Sequence, residues 1–184
     1  MLKKIRGFTL IELLIVVAII GILAALLIPN ALSAIQKAKQ KGTMKDMNSI
    51  STAIMDYVTD NGTAPAGVAA ILPNAPLTSA LVGTTGFYLK VLPSYDQWGG
   101  GFGVYCGTAA GSVPGVTGLS GLVAADDFVV ISRGRDRANT IFTYNPTMPT
   151  NVYFSMTGMT SFNEDLCTWN GNWIHAPRAA QLGT

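Results

Sequence analysis

The 184-residue chain has one histidine, two cysteines and only 12% charged residues. A single histidine, His175, leaves no basis within one chain for a histidine metal triad or a histidine-rich site, and near the C-terminus it reads as a surface residue. No G-x-S-x-G elbow, phosphate loop or pair of facing carboxylates stands out, so catalysis finds no support. Cys106 and Cys167 are 61 residues apart, a spacing that matches no metal motif. There is no internal repeat. Charge of one sign is also missing: the formal net charge is +2, three of the twelve basic residues lie in the first seven positions, and the remaining nine face ten acids. No nucleic-acid partner is expected from that balance. Arg133, Arg135 and Arg137 alternate and could share a strand face as a small basic stripe, but acids surround them, so a solvated, partly paired face is the better reading.

What is present in quantity is apolar length. Lys3, Lys4 and Arg6 form a basic head ending at Gly7, and the run Phe8 to Ile28, FTLIELLIVVAIIGILAALLI, carries one charge, Glu12. A membrane-spanning helix needs about 20 apolar residues. A carboxylate at the bilayer centre costs roughly 2.5–3.5 kcal/mol, less towards an end, so Glu12 requires a partner. A secretory signal peptide has a shorter apolar region followed by a small-residue cleavage site. Here the small residue, Gly7, precedes the run, and cutting after it would leave an α-amine on Phe8 four residues from Glu12. The basic head places the N-terminus in the cytoplasm, although Lys37, Lys39, Lys41 and Lys45 beyond the apolar run oppose that orientation.

The helical pattern continues past the membrane. Ile35, Met44, Met47, Ile50, Ile54, Tyr57 and Val58 mostly keep three- and four-residue spacing, and Asp60-Asn61-Gly62 is a stop. Gly21 and Pro29 interrupt the helix, where a kink or local melting is expected. The chain therefore divides into a basic head (1–7) that a cut after Gly7 would remove, a membrane helix (8–28), its amphipathic continuation (29–61) and a C-terminal domain (62–184). In that domain a short helix is predicted near Leu77 to Val82. Strands are predicted at Phe87–Leu92, Phe102–Cys106, Phe128–Ser132, Ile141–Tyr144, Asn151–Met156 and Leu166–Trp169. The result is an α+β unit, a long helix on a small antiparallel sheet.

The stretch G-F-T-L-I-E-L-L-I-V-V-A-I-I-G-I-L-A-A followed by Ile28-Pro29-Asn30 resembles the N-terminus of type IV pilins and type II secretion pseudopilins. Three later blocks are similar to G-type major pseudopilins: Tyr88 to Cys106 (YLKVLPSYDQWGGGFGVYC), Phe128 to Arg137 (FVVISRGRDR) and Asn163 to Trp173 (NEDLCTWNGNW). Gln97 stands where that group has proline, Gly100 where it has asparagine, and Arg137 where glycine is usual. The resemblance implies cleavage after Gly7 by a prepilin peptidase, N-methylation of Phe8, and pairing of Glu12 with the amine of a neighbouring subunit. It also implies a homopolymer with minor pilins or pseudopilins, an inner-membrane platform and ATPase, and lipid contact before assembly. The C-terminal domain would then lie in the periplasm, an oxidising compartment where Cys106 and Cys167 either pair or remain separate buried thiols. In this group the last two blocks fold over one calcium ion. Carried over, the ligands are Asp136 and Asp165, with Glu164 and Ser132 behind them; the alternative is a turn in which the arginines meet Asp126, Asp127 and Asp165. A surface pilus for adhesion, twitching or DNA uptake is the other filament reading, and a membrane-tethered calcium-binding or adhesive module that never polymerises is the reading from a different class.

Overall fold

Helix α1 runs without interruption through Leu10–Asn61 in a computed structural model that describes residues 7–65, 69–73, 75–83, 87–145, 147 and 153–178. The basic head and the first two residues of the 151–156 run lie outside the described residues. Two compact units divide at Lys37 and Ala38. In the first unit the helix is apolar on every side, with an 18-residue window of mean hydropathy 3.1 and none of that window buried. A helix with no polar face is suited to lipid or to other apolar helices rather than to water.

In the second unit one stripe of α1 forms the floor of the core. Met47, Ile50, Ala53 and Ile54 are at most 1% exposed, and Met44, Tyr57 and Val58 pack against them; Ile35 remains exposed. The predicted face therefore holds from Met44 onward. These side chains meet a five-stranded antiparallel sheet ordered β1-β2-β4-β6-β7: β1 Ala69–Ile71, β2 Gly103–Cys106, β4 Phe128–Ser132, β6 Leu166–Trp169 and β7 Asn172–His175. Val104, Cys106, Phe128, Val130 and Leu166 face the helix. Tyr105, Val129, Ile131, Cys167 and Ile174 form the other face, covered by Ala110, Val113, Leu119 and Phe142. Both faces of the central strands are buried, which is why β4 reads as an unbroken apolar run, FVVI, rather than an alternating one.

Helix α2, Ala75–Val82, begins two residues before the predicted start and carries Pro76 in its first turn, where no intrahelical donor is lost. The Phe87–Leu92 run is not a strand. Tyr88 and Leu89 both donate their N–H groups to Leu81 O, which folds the chain back on α2. The 141–144 run contributes only β5, Phe142–Thr143, paired in parallel with β3, Val116–Thr117, in a separate two-stranded sheet. Of the 151–156 run, the described part makes a single parallel bridge, Phe154 to Pro177.

Strand register decides the cysteine question. Cys106 is opposite Phe128, whereas Cys167 is opposite Ile131, so β4 lies between them and they are three residues out of step. Two strand spacings of about 4.8 Å, plus three residues along the strand, put the thiols well over the 7 Å Cα separation a disulfide tolerates. An odd offset also places them on opposite faces, Cys106 towards the helix and Cys167 away from it. Both are free and buried, so the disulfide alternative is corrected to two separate thiols.

Candidate functional site

Gly7 has open space around it among the described residues: a Cβ there would meet none of their atoms within 4 Å, and its backbone is not in the left-handed region. Neither packing against the described residues nor backbone conformation calls for glycine at this position. Phe8 follows at 80% exposure.

Thr9 then caps the helix. Its N–H and its hydroxyl both donate to Glu12 Oε2, at 2.9 and 2.7 Å, while the Glu12 N–H donates back to Thr9 Oγ1 at 3.3 Å. This is a reciprocal capping box, in which threonine before the first helical residue and glutamate three positions on satisfy each other's donors. T-x-x-E was available in the sequence as Thr9-Leu10-Ile11-Glu12, and it gives Glu12 an intrachain partner that charge reasoning alone did not supply. Farther along, Pro29 removes one backbone donor from α1, and the neighbouring Asn30 side chain donates to Leu26 O at 3.4 Å. The helix is continuous through both Gly21 and Pro29.

The other candidate residues lie beyond β4. Gly134, at φ 63°, sits so close to the 162–164 turn that a Cβ would fall 2.8–2.9 Å from the carbonyl oxygens of Phe162, Asn163 and Glu164. Arg135 completes the staple: its N–H donates to Phe162 O at 2.8 Å and its Nε to Asn163 Oδ1 at 3.0 Å. The two blocks that flank residues 140–160 are thus brought together. Asp165 is 0% exposed; its Oδ2 accepts the Thr140 N–H at 3.1 Å, and its Oδ1 is buried with no hydrogen-bond partner among the described residues. Burial pushes this carboxyl up to about 7, and the charge of Asp136 adds to the shift. Asp136 itself is exposed and accepts the Ala138 N–H. Glu164 is half-buried. Ser132 points its hydroxyl elsewhere, donating to Asp96 Oδ2 at 2.8 Å.

The buried Asp165 oxygen without a donor among the described residues and the charge of Asp136 beside it are the features that suit a hard cation taking oxygen ligands; the three carbonyls close on Gly134 instead, and Phe162 O already accepts the Arg135 N–H. Among the described residues no group of three or more His, Cys, Asp or Glu could hold a metal, so such an ion would depend on main-chain oxygens.

The arginines do not share a strand face, because β4 ends at Ser132 and residues 134–137 form a turn. Arg137 adopts φ 59° at the position where the resembling family has glycine, so the left-handed turn is kept without its usual residue; its guanidinium donates to Trp98 O. Asp127 is held by the Ala124 N–H and by the Asn170 side chain.

Two contacts emerge only from the structure. Asp96, 5% exposed, accepts the N–H groups of Trp98 and Gly100 through Oδ1 and the Ser132 hydroxyl through Oδ2, tying the YDQW loop to β4. Gln97 docks that loop on α1, its Nε2 donating to Asp46 at 2.9 Å. His175 is not a surface residue. It is 5% exposed, stacks on Phe142 with ring centroids 4.2 Å apart, and places Nδ1 2.6 Å from Asp165 O. Burial lowers its pKa. Its position in β7 rather than in a tail is what buries it.

A sequence profile of the prokaryotic N-terminal methylation motif matches residues 2–28. The chain is 34% identical over 102 residues to the type II secretion system core protein G of Klebsiella michiganensis, covering 53% of this chain and 70% of that one. It is 32% identical over 131 residues to the Aeromonas hydrophila protein of the same name, covering 68% and 90%. Over 179 residues it is 26% identical to that of Dickeya chrysanthemi, covering 94% and 92%. No solved structure matches the chain significantly.

Proposed function

From the membership of this chain in the type II secretion system core protein G family, whose members are pseudopilins and structural subunits of a filament, we propose how its residues carry out assembly. A prepilin peptidase cuts after Gly7 and methylates the new amine of Phe8. The subunit waits in the inner membrane, its apolar helix in lipid and its C-terminal domain in the periplasm. On joining the filament, Glu12 meets the Phe8 amine of a neighbouring chain, and helix-to-helix packing replaces lipid. An inner-membrane platform and a cytoplasmic ATPase drive extrusion, and minor pseudopilins complete the polymer. Gly21 and Pro29 mark the stretch of α1 that unwinds in the filament.

The observation that carries this reading is Glu12. It is the one charge in the Phe8–Ile28 run, it lies exposed on the helix, and both hydrogen bonds to its carboxylate fall on a single oxygen, Oε2. In a medium of low dielectric a well-placed ammonium partner is worth far more than in water. A calcium ion held by Asp165 and Asp136 would neutralise the buried carboxylate and lock the two blocks together. The test of assembly is Glu12→Ala alongside Gly7→Ala, followed through processing, fibre formation and secretion. Processing should survive the first and fail with the second, and fibres should be lost in both; intact fibres and secretion in both variants would sink the mechanism.

A further inference from the structure

The chain holds two Asn-Gly pairs, Asn61-Gly62 and Asn170-Gly171. This dipeptide is the one most open to attack by its own backbone, because glycine puts no side chain beside the attacking nitrogen. The two pairs sit in opposite surroundings. Asn170 turns the β6–β7 hairpin with its carboxamide committed at both ends: Oδ1 accepts the Phe128 N–H at 2.9 Å, and Nδ2 donates to Asp127. Its own N–H donates to Phe128 O at 3.0 Å, so Asn170 extends the bonding of β4 beside a buried phenylalanine. Asn61 is the last residue of α1 and is exposed, as are Gly62 and Thr63. Its Nδ2 donates to Tyr57 O at 2.9 Å and to the Tyr88 hydroxyl at 3.4 Å, while Oδ1 accepts nothing among the described residues. Gly62, at φ 74°, donates its N–H to Val58 O at 2.7 Å, and no described atom lies within 4 Å of where a Cβ would stand.

We propose that Asn61 is a site of spontaneous deamidation and that Asn170 is protected from it. Helix ends fray. One opening of the last turn frees the Gly62 nitrogen from Val58 O and releases Asn61 from its helical backbone angles. The Gly62 nitrogen, losing its proton to solvent base, then attacks Asn61 Cγ; the carboxamide nitrogen leaves as ammonia and a succinimide ring closes. Water opens the ring at either carbonyl, giving aspartate, or isoaspartate with the main chain rerouted through the side chain. The sum is asparagine plus water to the acid plus ammonia, with no oxidant, reductant or enzyme. At Asn170 the same ring closure requires β4 and β6 to part, an opening of the core rather than of a terminus. The product matters because of what Asn61 holds. Tyr88 donates its hydroxyl to Asp60 Oδ2 at 2.9 Å and meets the Tyr57 ring edge-on at 5.6 Å, so residues 60 and 61 pin the 88–89 segment to the helix end. A carboxylate at position 61 removes the donor to Tyr57 O, stands beside Asp60, and adds negative charge at the negative end of the helix dipole. All three loosen the last turn. This chemistry does not depend on the filament reading.

The test ages the full-length chain, folded in detergent, in mildly alkaline buffer, and repeats the ageing in urea as the reference rate for each pair. Peptide mapping by mass spectrometry should show the amide-to-acid mass gain in the peptide that holds Asn61, and an isoaspartate methyltransferase should label that peptide. In the folded chain Asn61 should convert about tenfold or more faster than Asn170, the separation expected between a fraying terminus and a core strand pair. Asn61→Gln should abolish the labelling at 61 and leave Asn170 as it was. Asn61→Asp reproduces one product and should show faster amide exchange at residues 58–62. A folded chain in which Asn61 stays an amide while the same pair converts in urea would overturn the proposal, and so would equal conversion at Asn61 and Asn170. Unchanged exchange in Asn61→Asp would overturn the loosening of the helix end.

Discussion

Replacing Asp165 by asparagine should stabilise the calcium-free protein at neutral pH. The side chain is fully buried, one oxygen has the Thr140 N–H, and the other has no donor among the described residues. Its folded-state pKa is pushed up to about 7 by burial first and by Asp136 second, with Arg133 and the Thr140 bond opposing. Unfolded, an aspartate titrates near 3.9. A raised value means that the folded state binds the proton more tightly, so this group's contribution is fully present below about pH 4 and is lost as pH rises through 7. Three pKa units correspond to about 4 kcal/mol, and relaxation around the ionised group reduces that to roughly 3 kcal/mol at pH 8. Asparagine keeps an acceptor for Thr140 and carries no charge, so it avoids the loss. Urea unfolding of the full chain in detergent, with a chelator present, should show Asp165→Asn near wild type at pH 4.5 and more stable at pH 8. His175 resists protonation when folded and so adds an opposite slope at acid pH, but it is common to both proteins and cancels in the difference. Calcium at pH 8 should raise the stability of the wild type and leave the variant unchanged. A variant that is less stable than wild type by the same amount at both pH values would refute the reasoning, because Asp165 would then be acting as an ordinary hydrogen-bonded core residue.

Three further outcomes follow from local geometry. Thr9→Val removes the hydroxyl half of the capping box and should cost about 1 kcal/mol of first-turn stability, read as faster amide exchange at residues 10–12 in detergent. Gly134→Ala forces a Cβ against three carbonyls at a positive φ, and should cost roughly 2 kcal/mol or more in urea unfolding; an unchanged midpoint would mean that the 134–137 turn is not docked on 162–164. Cys106, its thiol pushed up to about 12 by burial, and Cys167 should both resist a thiol reagent in the folded chain and react on unfolding, with the intact mass showing two free thiols.

The anchor and the path of α1 were legible because long apolar runs and helical spacing are properties of the chain itself. The central strands β2, β4 and β6 were legible for a related reason: strands buried on both faces are short apolar runs rich in β-branched and aromatic residues. The sheet edges were harder. Strand β1 lies in an alanine-rich connector, and its place follows from pairing with β2 rather than from its own residues. Strand β7 did leave a signal. Asn170 and Gly171, at φ 48° and 76°, form the two-residue turn between Trp169 and Asn172, the N-G hairpin pattern that extends β6 into β7. Reading it would have placed His175 in the sheet. The relation of the cysteines was invisible, because sequence distance carries no strand register. At the candidate ion site the ligand types could be named, but the orphaned oxygen of Asp165 and the carbonyls converging on Gly134 depend on how two distant blocks meet.

The capping box at Thr9 and Glu12 begins two residues beyond the proposed cut, so removal of the leader leaves the helix start intact and needs no refolding. What it changes is electrostatic. The ammonium created on Phe8 appears at the positive end of a long helix dipole, where a cation is disfavoured, and its own chain's Glu12 is already engaged by Thr9. Processing would therefore convert a settled helix terminus into an unsatisfied one, which a carboxylate from another subunit would relieve without disturbing the capping box.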